Sequence, residues 1–257
     1  MFIPKKSIPA KDEVKSPHLL LHGRPATGKS HNVLMTFPNI ILADFDNMIP
    51  PEVMEKRPPE HIIPFYDKEW IAKNSASFGN QSMPKDAFKW WLNNEAVKMT
   101  PEQTLVIDSL SALQDVFHIQ MEPLAQGSDN KYFPWNEKGR YLRDVHLLLR
   151  NLKCILVMIA HELEPRDEDS GKLTSKFYPF VTGGFKAQIG RSYDNIFHSL
   201  VTEDDKTKRP TYMWQIKSDK EYNLRTTIVT DEKFVPASWE SFGINRAVGT
   251  PQAITTP

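Results

Sequence analysis

The run His22-Gly23-Arg24-Pro25-Ala26-Thr27-Gly28-Lys29-Ser30 sets two glycines, a lysine and a hydroxyl at the spacing Gly-x4-Gly-Lys-[Ser/Thr] of a phosphate-binding loop. Glycines let the backbone wrap a phosphate, successive N–H groups and a helix N-terminus supply partial positive charge, and Lys29 adds a full one. Ser30 is placed to hold Mg²⁺ beside the β- and γ-phosphates of a nucleotide. The whole stretch Gly23, Arg24, Pro25, Ala26, Thr27, Gly28, Lys29 and Ser30 is therefore a candidate cofactor site. The apolar His18-Leu19-Leu20-Leu21 run before it and Val33, Leu34 and Met35 after it predict the strand, loop and helix that such a loop needs.

A second element, this one acidic, follows. Thr104-Leu105-Val106-Ile107-Asp108 is an apolar strand ending in a carboxylate, which places Asp108 to bind Mg²⁺ through water. The next residue is Ser109, where AAA+ and ABC-type ATPases usually carry a catalytic Glu, and this disfavours both classes. A guanine-reading Asn-Lys-x-Asp is missing too, since Asn130-Lys131-Tyr132 runs into Phe133.

These residues resemble those of the RecA-like recombinase ATPases. In that family the catalytic acid follows the strand after the loop helix, and Ile41-Leu42-Ala43-Asp44-Phe45-Asp46 fits the place. The resemblance gives Asp46 the task of orienting the attacking water, with Asp44 as the alternative. Val106 to Leu113 is similar to the RecA metal-binding segment along its length. Leu152 to Ala160, followed by His161, looks like the strand whose polar end senses the γ-phosphate. Residues 163–184 end in Val181-Thr182-Gly183-Gly184, similar to the close of a RecA second DNA-binding loop. Lys172, Lys176 and Lys186 would then meet phosphates, and Phe177, Tyr178 and Phe180 would stack on bases. Gly127 to Trp135 occupies the place of the first DNA loop, with binding and packing equally open. Lys217, Lys220 and Arg225 stand where RecA-type filaments place cations that reach the ATP of a neighbouring subunit.

The resemblance covers about residues 17–235 and is strongest to the short phage ATPases of recombination and single-strand annealing. It implies ATP and Mg²⁺ as cofactors, single-stranded DNA as partner and a homo-oligomer, filament or ring, with ATP at subunit interfaces. A single-strand-binding protein is a further implied partner. A helicase-loading or replication-accessory ATPase would share every nucleotide residue, and a nucleotide-dependent switch would bind ATP without turnover; both stay open. The Pro-rich stretch between Ile49 and Pro64 has no counterpart in the resemblance, and no RecA polymerisation segment is recognisable.

The elements that must position these residues alternate. Short runs at His18 to His22, Ile40 to Asp44, Thr104 to Ile107, Cys154 to Ala160, Asn195 to Val201, Tyr212 to Lys217 and Thr226 to Thr230 read as strands. Leu110 to Gln120 and Glu137 to Asn151 read as helices. The pattern predicts an α/β core on a mostly parallel sheet flanked by helices, and the resemblance implies a RecA-like P-loop core with antiparallel strands at the C-terminal edge. Residues 17–243 form that core, 1–16 an N-terminal extension and 244–257 a flexible tail. Residues 47–64, with five prolines, and 163–184 read as irregular.

Composition bounds the rest. The 257 residues carry 32 Lys+Arg against 32 Asp+Glu, and the net charge of zero excludes a uniformly basic nucleic-acid coat. A hydrophobic share of 40% is enough for a buried core. Cys154, the sole cysteine, rules out disulfides and thiolate zinc clusters and reads as a small core hydrophobe. The longest apolar run, Cys154 to Ala160, falls far short of the roughly 18 residues that cross a bilayer. The start Met-Phe-Ile-Pro-Lys-Lys has no signal-peptide pattern, which predicts a cytoplasmic protein, in the host cytoplasm if phage-encoded.

Overall fold

A computed structural model describes residues 16–125, 133–163, 177–181, 189–204 and 207–242. Strand β1 (His18–Gly23) leads through the glycine loop into helix α1 (Lys29–Thr36), then β2 (Ile40–Asp44), α2 (Pro51–Lys56), β3 (His61–Pro64), α3 (Lys68–Lys73) and α4 (Pro84–Asn94). Next come β4 (Thr104–Asp108), α5 (Leu110–Ala125), α6 (Phe133–Leu149), β5 (Ile155–Leu163), the two-residue β6 (Tyr178–Pro179), β7 (Asn195–Glu203), β8 (Pro210–Gln215) and β9 (Phe234–Pro236).

The strands form one sheet in the order β3-β2-β4-β5-β1-β7-β8-β9, with β6 paired to β5. From β3 to β7 the pairing is parallel; β8 and β9 add antiparallel strands at one edge. This is the mostly parallel α/β sheet with an antiparallel C-terminal edge expected from the sequence.

Each central strand is buried on both faces, which explains its unbroken apolar run. Leu20, Leu105, Ile107, Leu156 and Met158 face a core shared with Phe88 and Trp91 of α4, Leu113 and Phe117 of α5 and Leu142 and Val145 of α6. Their neighbours Leu19, Leu21, Val106 and Val157 face the opposite core, where Val33 and Leu34 of α1 meet Phe197 and Trp214. The two-residue period of a strand divides the side chains in this way. Each such fully buried side chain contributes about 1.5–3 kcal/mol of burial free energy. Cys154 is buried in the first core as a thiol, and burial pushes its pKa up to about 11, so it is a packing residue.

Two readings of the sequence need correction. The proline-rich stretch 47–64 is not irregular: it holds α2 and β3. Pro51 stands at the first turn of α2, where no backbone N–H is needed, and Pro64 closes β3, an edge strand with one pairing partner. Thr226 to Thr230 forms no strand; Thr227 instead bonds the Asn195 side chain, and the edge place is taken by β9. No helix among the described residues is long and apolar enough to cross a membrane.

Candidate nucleotide site

The glycine loop bends between β1 and α1 on two left-handed residues, Ala26 at φ 61° and Gly28 at φ 73°. Gly28 cannot be exchanged freely, because a Cβ there would fall 2.5 Å from Cδ1 of Tyr212 as well as adopting that φ. Gly23 is held as tightly, with the space for its Cβ taken by the Ser199 carbonyl oxygen at 2.6 Å. The loop is pinned from the next strand: the Ser199 hydroxyl donates to the Thr27 carbonyl at 2.9 Å, and the Thr27 hydroxyl donates to the Arg24 carbonyl at 2.9 Å.

Lys29 is buried, and its Nζ donates to the carbonyls of Gly23 at 2.9 Å and Arg24 at 2.7 Å. Burial pulls its pKa down, against the charges of Asp108, Glu162 and Asp46. Pro25 and Ala26 are exposed at the loop's tip, and Arg24 leaves it to lie over Phe177.

The acids converge from the ends of two neighbouring parallel strands, β2 and β4. Register pairs Asp44 with Asp108 across β2 and β4. Burial pushes the Asp108 carboxyl up to about 7; the Ser30 hydroxyl bonded to it works the other way, and Asp46 and Asp44 add to the rise. A divalent cation beside Ser30 and Asp108 would relieve that crowding, and a hydroxyl paired with a carboxylate is an oxygen-only donor set that suits Mg²⁺. The residues therefore fit the metal implied by the loop. Ser109, reached through a cis peptide from Asp108, accepts on its hydroxyl from the Ala112 N–H at 3.2 Å and caps the start of α5.

Asp44 and Asp46 have different surroundings. The Asp44 carboxylate is buried and accepts from the N–H groups of Asp46 at 3.0 Å and Asn47 at 2.9 Å, which closes the strand end. Asp46 points away from that turn, and its Oδ2 lies 3.9 Å from Nε2 of His161. The backbone of His161 accepts from Phe180 N–H at 2.7 Å and donates to the Ser111 hydroxyl at 3.1 Å, so β5 is tied to α5 and to residues 177–181 at this point.

The fold thus brings Gly23 to Ser30, Asp46, Asp108 and His161 together at the C-terminal ends of β1, β2, β4 and β5, where parallel sheets bind ligands. It does not bring in the three C-terminal cations as a group. Arg225 donates to the Tyr193 carbonyl at 3.3 Å, and Lys217 and Lys220 sit on the segment after β8 that Asp219 organises.

Of the expected DNA residues, Lys172, Lys176, Gly183, Gly184 and Lys186 lie outside the described residues, as do the Gly127 to Trp135 side chains. Phe177 and Tyr178 are described. Phe177 is buried, with its ring stacked on Tyr222 at 5.2 Å, so the expected free stacking face is already used within the protein; Tyr178 is half-buried and pairs with Leu163.

One group escapes the sequence reading. Glu162, its side chain 1% exposed, has Oε2 3.3 Å from Nδ1 of His22 and 3.1 Å from Nε2 of His198. Burial would push this carboxyl up, but the two imidazoles bring it down to about 2. Nothing local marks the three; only the register of β1 between β5 and β7 joins them.

Fold and site together define a P-loop nucleotide-binding protein. Residues 15–220 match the family model described as an AAA domain, and the chain belongs to that family. The inference from Ser109 against an AAA assignment is corrected by this match. No curated protein matches the sequence. Among solved structures the chain is similar to the crystal structure of the RadB recombinase, at 10% identity over 82% of this chain and 86% of that one, with a TM-score of 0.34. At that distance the likeness carries no argument, and the fold rests on the sheet itself.

Proposed function

We propose that this AAA-family protein is a Mg²⁺-dependent ATPase that binds single-stranded DNA and acts in recombination or strand annealing as a homo-oligomer. The observation that carries the ATPase part is the convergence of Lys29, Ser30, Asp108, Asp46 and His161 at the ends of adjacent parallel strands. Bound Mg²⁺·ATP would supply the transferable γ-phosphoryl group and a cation that spreads its charge. The loop N–H groups and Lys29 bind the phosphates, and Ser30 and Asp108 hold the metal. Asp46, freed from the turn that occupies Asp44, orients water and accepts its proton. His161, beside Asp46, couples that acid to the phosphate end of the nucleotide.

The DNA part is supported by the order of segments in the sequence and by the attachment of residues 177–181 to β5 at His161. Lys217, Lys220 and Arg225 are exposed or half-buried, which suits a role at a neighbouring subunit's site. The test is the ATPase rate with no DNA, single-stranded DNA and double-stranded DNA across a salt series. Stimulation by single strands that fades steeply with salt supports the reading; hydrolysis without DNA binding or stimulation removes the DNA part, and no hydrolysis removes the enzyme.

A further inference from the structure

We propose that Glu162, His22 and His198 form a buried clamp that positions the first turn of the phosphate loop relative to the basic segment 217–225. The three come from adjacent strands, and each has its own connection outward. His22 is the residue before Gly23, so its ring sits at the root of the loop. Glu162 follows His161 and is register-paired with Pro179. His198 pairs with Gln215 across β7 and β8, and Gln215 donates to the Lys217 carbonyl at 3.0 Å and to Asp219 at 2.9 Å.

The clamp reaches the basic segment through a stack of rings. His198 lies on Tyr222 with centroids 3.9 Å apart and planes 21° apart. Tyr222 lies on Phe177 at 5.2 Å, and the Arg24 guanidinium carbon stands over the Phe177 ring, 5.9 Å from its centroid. Arg24 also brings Nε to 4.0 Å from Glu162, so the stack returns to the phosphate loop where the clamp began. On the other side, Asp219 accepts from the N–H groups of Glu221 and Tyr222 at 2.8 Å each and fixes the turn that carries Tyr222 between Lys220 and Arg225.

A closed circuit of this kind has a mechanical meaning. A buried carboxylate facing two imidazoles is stable in one arrangement, because moving either ring away takes a polar partner from a carboxylate that burial has already stripped of water. The root of the loop and the seat of Tyr222 are therefore held to the same point. Displacement of the 217–225 segment, as when its cations engage another subunit, is transmitted to Gly23 and Arg24, whose carbonyls hold Lys29. Glu162, His22 and His198 touch no substrate in this scheme and are positioning residues.

The test uses the full chain without nucleotide and reads backbone amide exchange by mass spectrometry. Glu162→Gln keeps the shape and removes the charge; Tyr222→Ala breaks the stack without touching the buried charges and decides the matter if Glu162→Gln fails to fold. In either variant, exchange should rise about tenfold in peptides covering 22–30 and 217–225 together, with 104–108 unchanged. A rise confined to 217–225 overturns the clamp. The consequence for turnover rests on the ATPase reading: Tyr222→Ala should lower kcat about tenfold with KM within about threefold. A wild-type protein without hydrolysis sinks that reading, while the exchange result still judges the clamp.

Discussion

Oδ2 of Asp46 stands 3.9 Å from Nε2 of His161, while Asp44, two residues earlier, spends its carboxylate on the N–H groups of Asp46 and Asn47. The two acids of one short sequence are thus separated by task. Asp46→Asn should lower ATP turnover at least about a hundredfold with little change in melting temperature, as expected for loss of a general base. Asp44→Ala should do the reverse, costing about 1–2 kcal/mol of stability through the lost strand-end bonds. Steady-state kinetics beside thermal melts of both variants separates the cases, and a turnover defect confined to Asp44→Ala would reverse the assignment.

Gly28 sits in the left-handed region against the ring of Tyr212. Gly28→Ala should abolish measurable nucleotide binding. Adding Tyr212→Ala removes the clash with the ring but leaves Asn32 Nδ2 at 2.8 Å and the backbone cost of roughly 1 kcal/mol, so the double variant should recover only part of the affinity. Titration with a fluorescent ATP analogue gives the comparison, and full affinity in Gly28→Ala alone would contradict the geometry.

If the catalytic site is completed by a neighbouring subunit, Lys29→Ala and Lys217→Ala fail for different reasons. Lys29→Ala loses nucleotide binding; Lys217→Ala keeps it and loses turnover. Mixing the two should restore a fraction of the wild-type rate, because some interfaces then pair an intact Lys29 with an intact Lys217. Mixed samples no more active than the average of the two parents would place the cation within its own subunit.

His146 is buried in α6, with Nδ1 bonded to the Leu142 carbonyl at 2.8 Å and Nε2 facing the Tyr193 hydroxyl at 3.0 Å. Burial lowers its pKa from 6.5 to about 4. A base that protonates more readily when unfolded contributes stability that is complete above pH 6.5 and lost as pH falls toward 4. Between pH 7.5 and pH 5 the loss should be about 2 kcal/mol, read from urea midpoints. His146→Gln should flatten that pH dependence; an equally steep dependence in the variant would assign it to other groups.

Much of the site was legible because its chemistry is written locally. The phosphate loop must be contiguous, since consecutive N–H groups bind the phosphate, so spacing alone located Gly23 to Ser30. An apolar strand ending in Asp gave Asp108, because burial on both faces forces an unbroken apolar run, whereas His161, at the end of a similar run, was picked out only by the family resemblance and its order along the chain. The prolines of 47–64 misled because their meaning depends on position: Pro51 begins a helix and Pro64 ends an edge strand. Phe177 misled because a surface ring and a ring stacked beneath Arg24 have the same letter.

By itself the sequence determined the loop, the parallel core strands and the acids at their ends, all properties of short range or of strand periodicity. Tertiary structure alone decided which of Asp44 and Asp46 faces His161, and it assembled Glu162 between His22 and His198. Those relationships join residues distant in the chain through the order and register of strands, which depend on how the whole sheet packs between its two layers of helices.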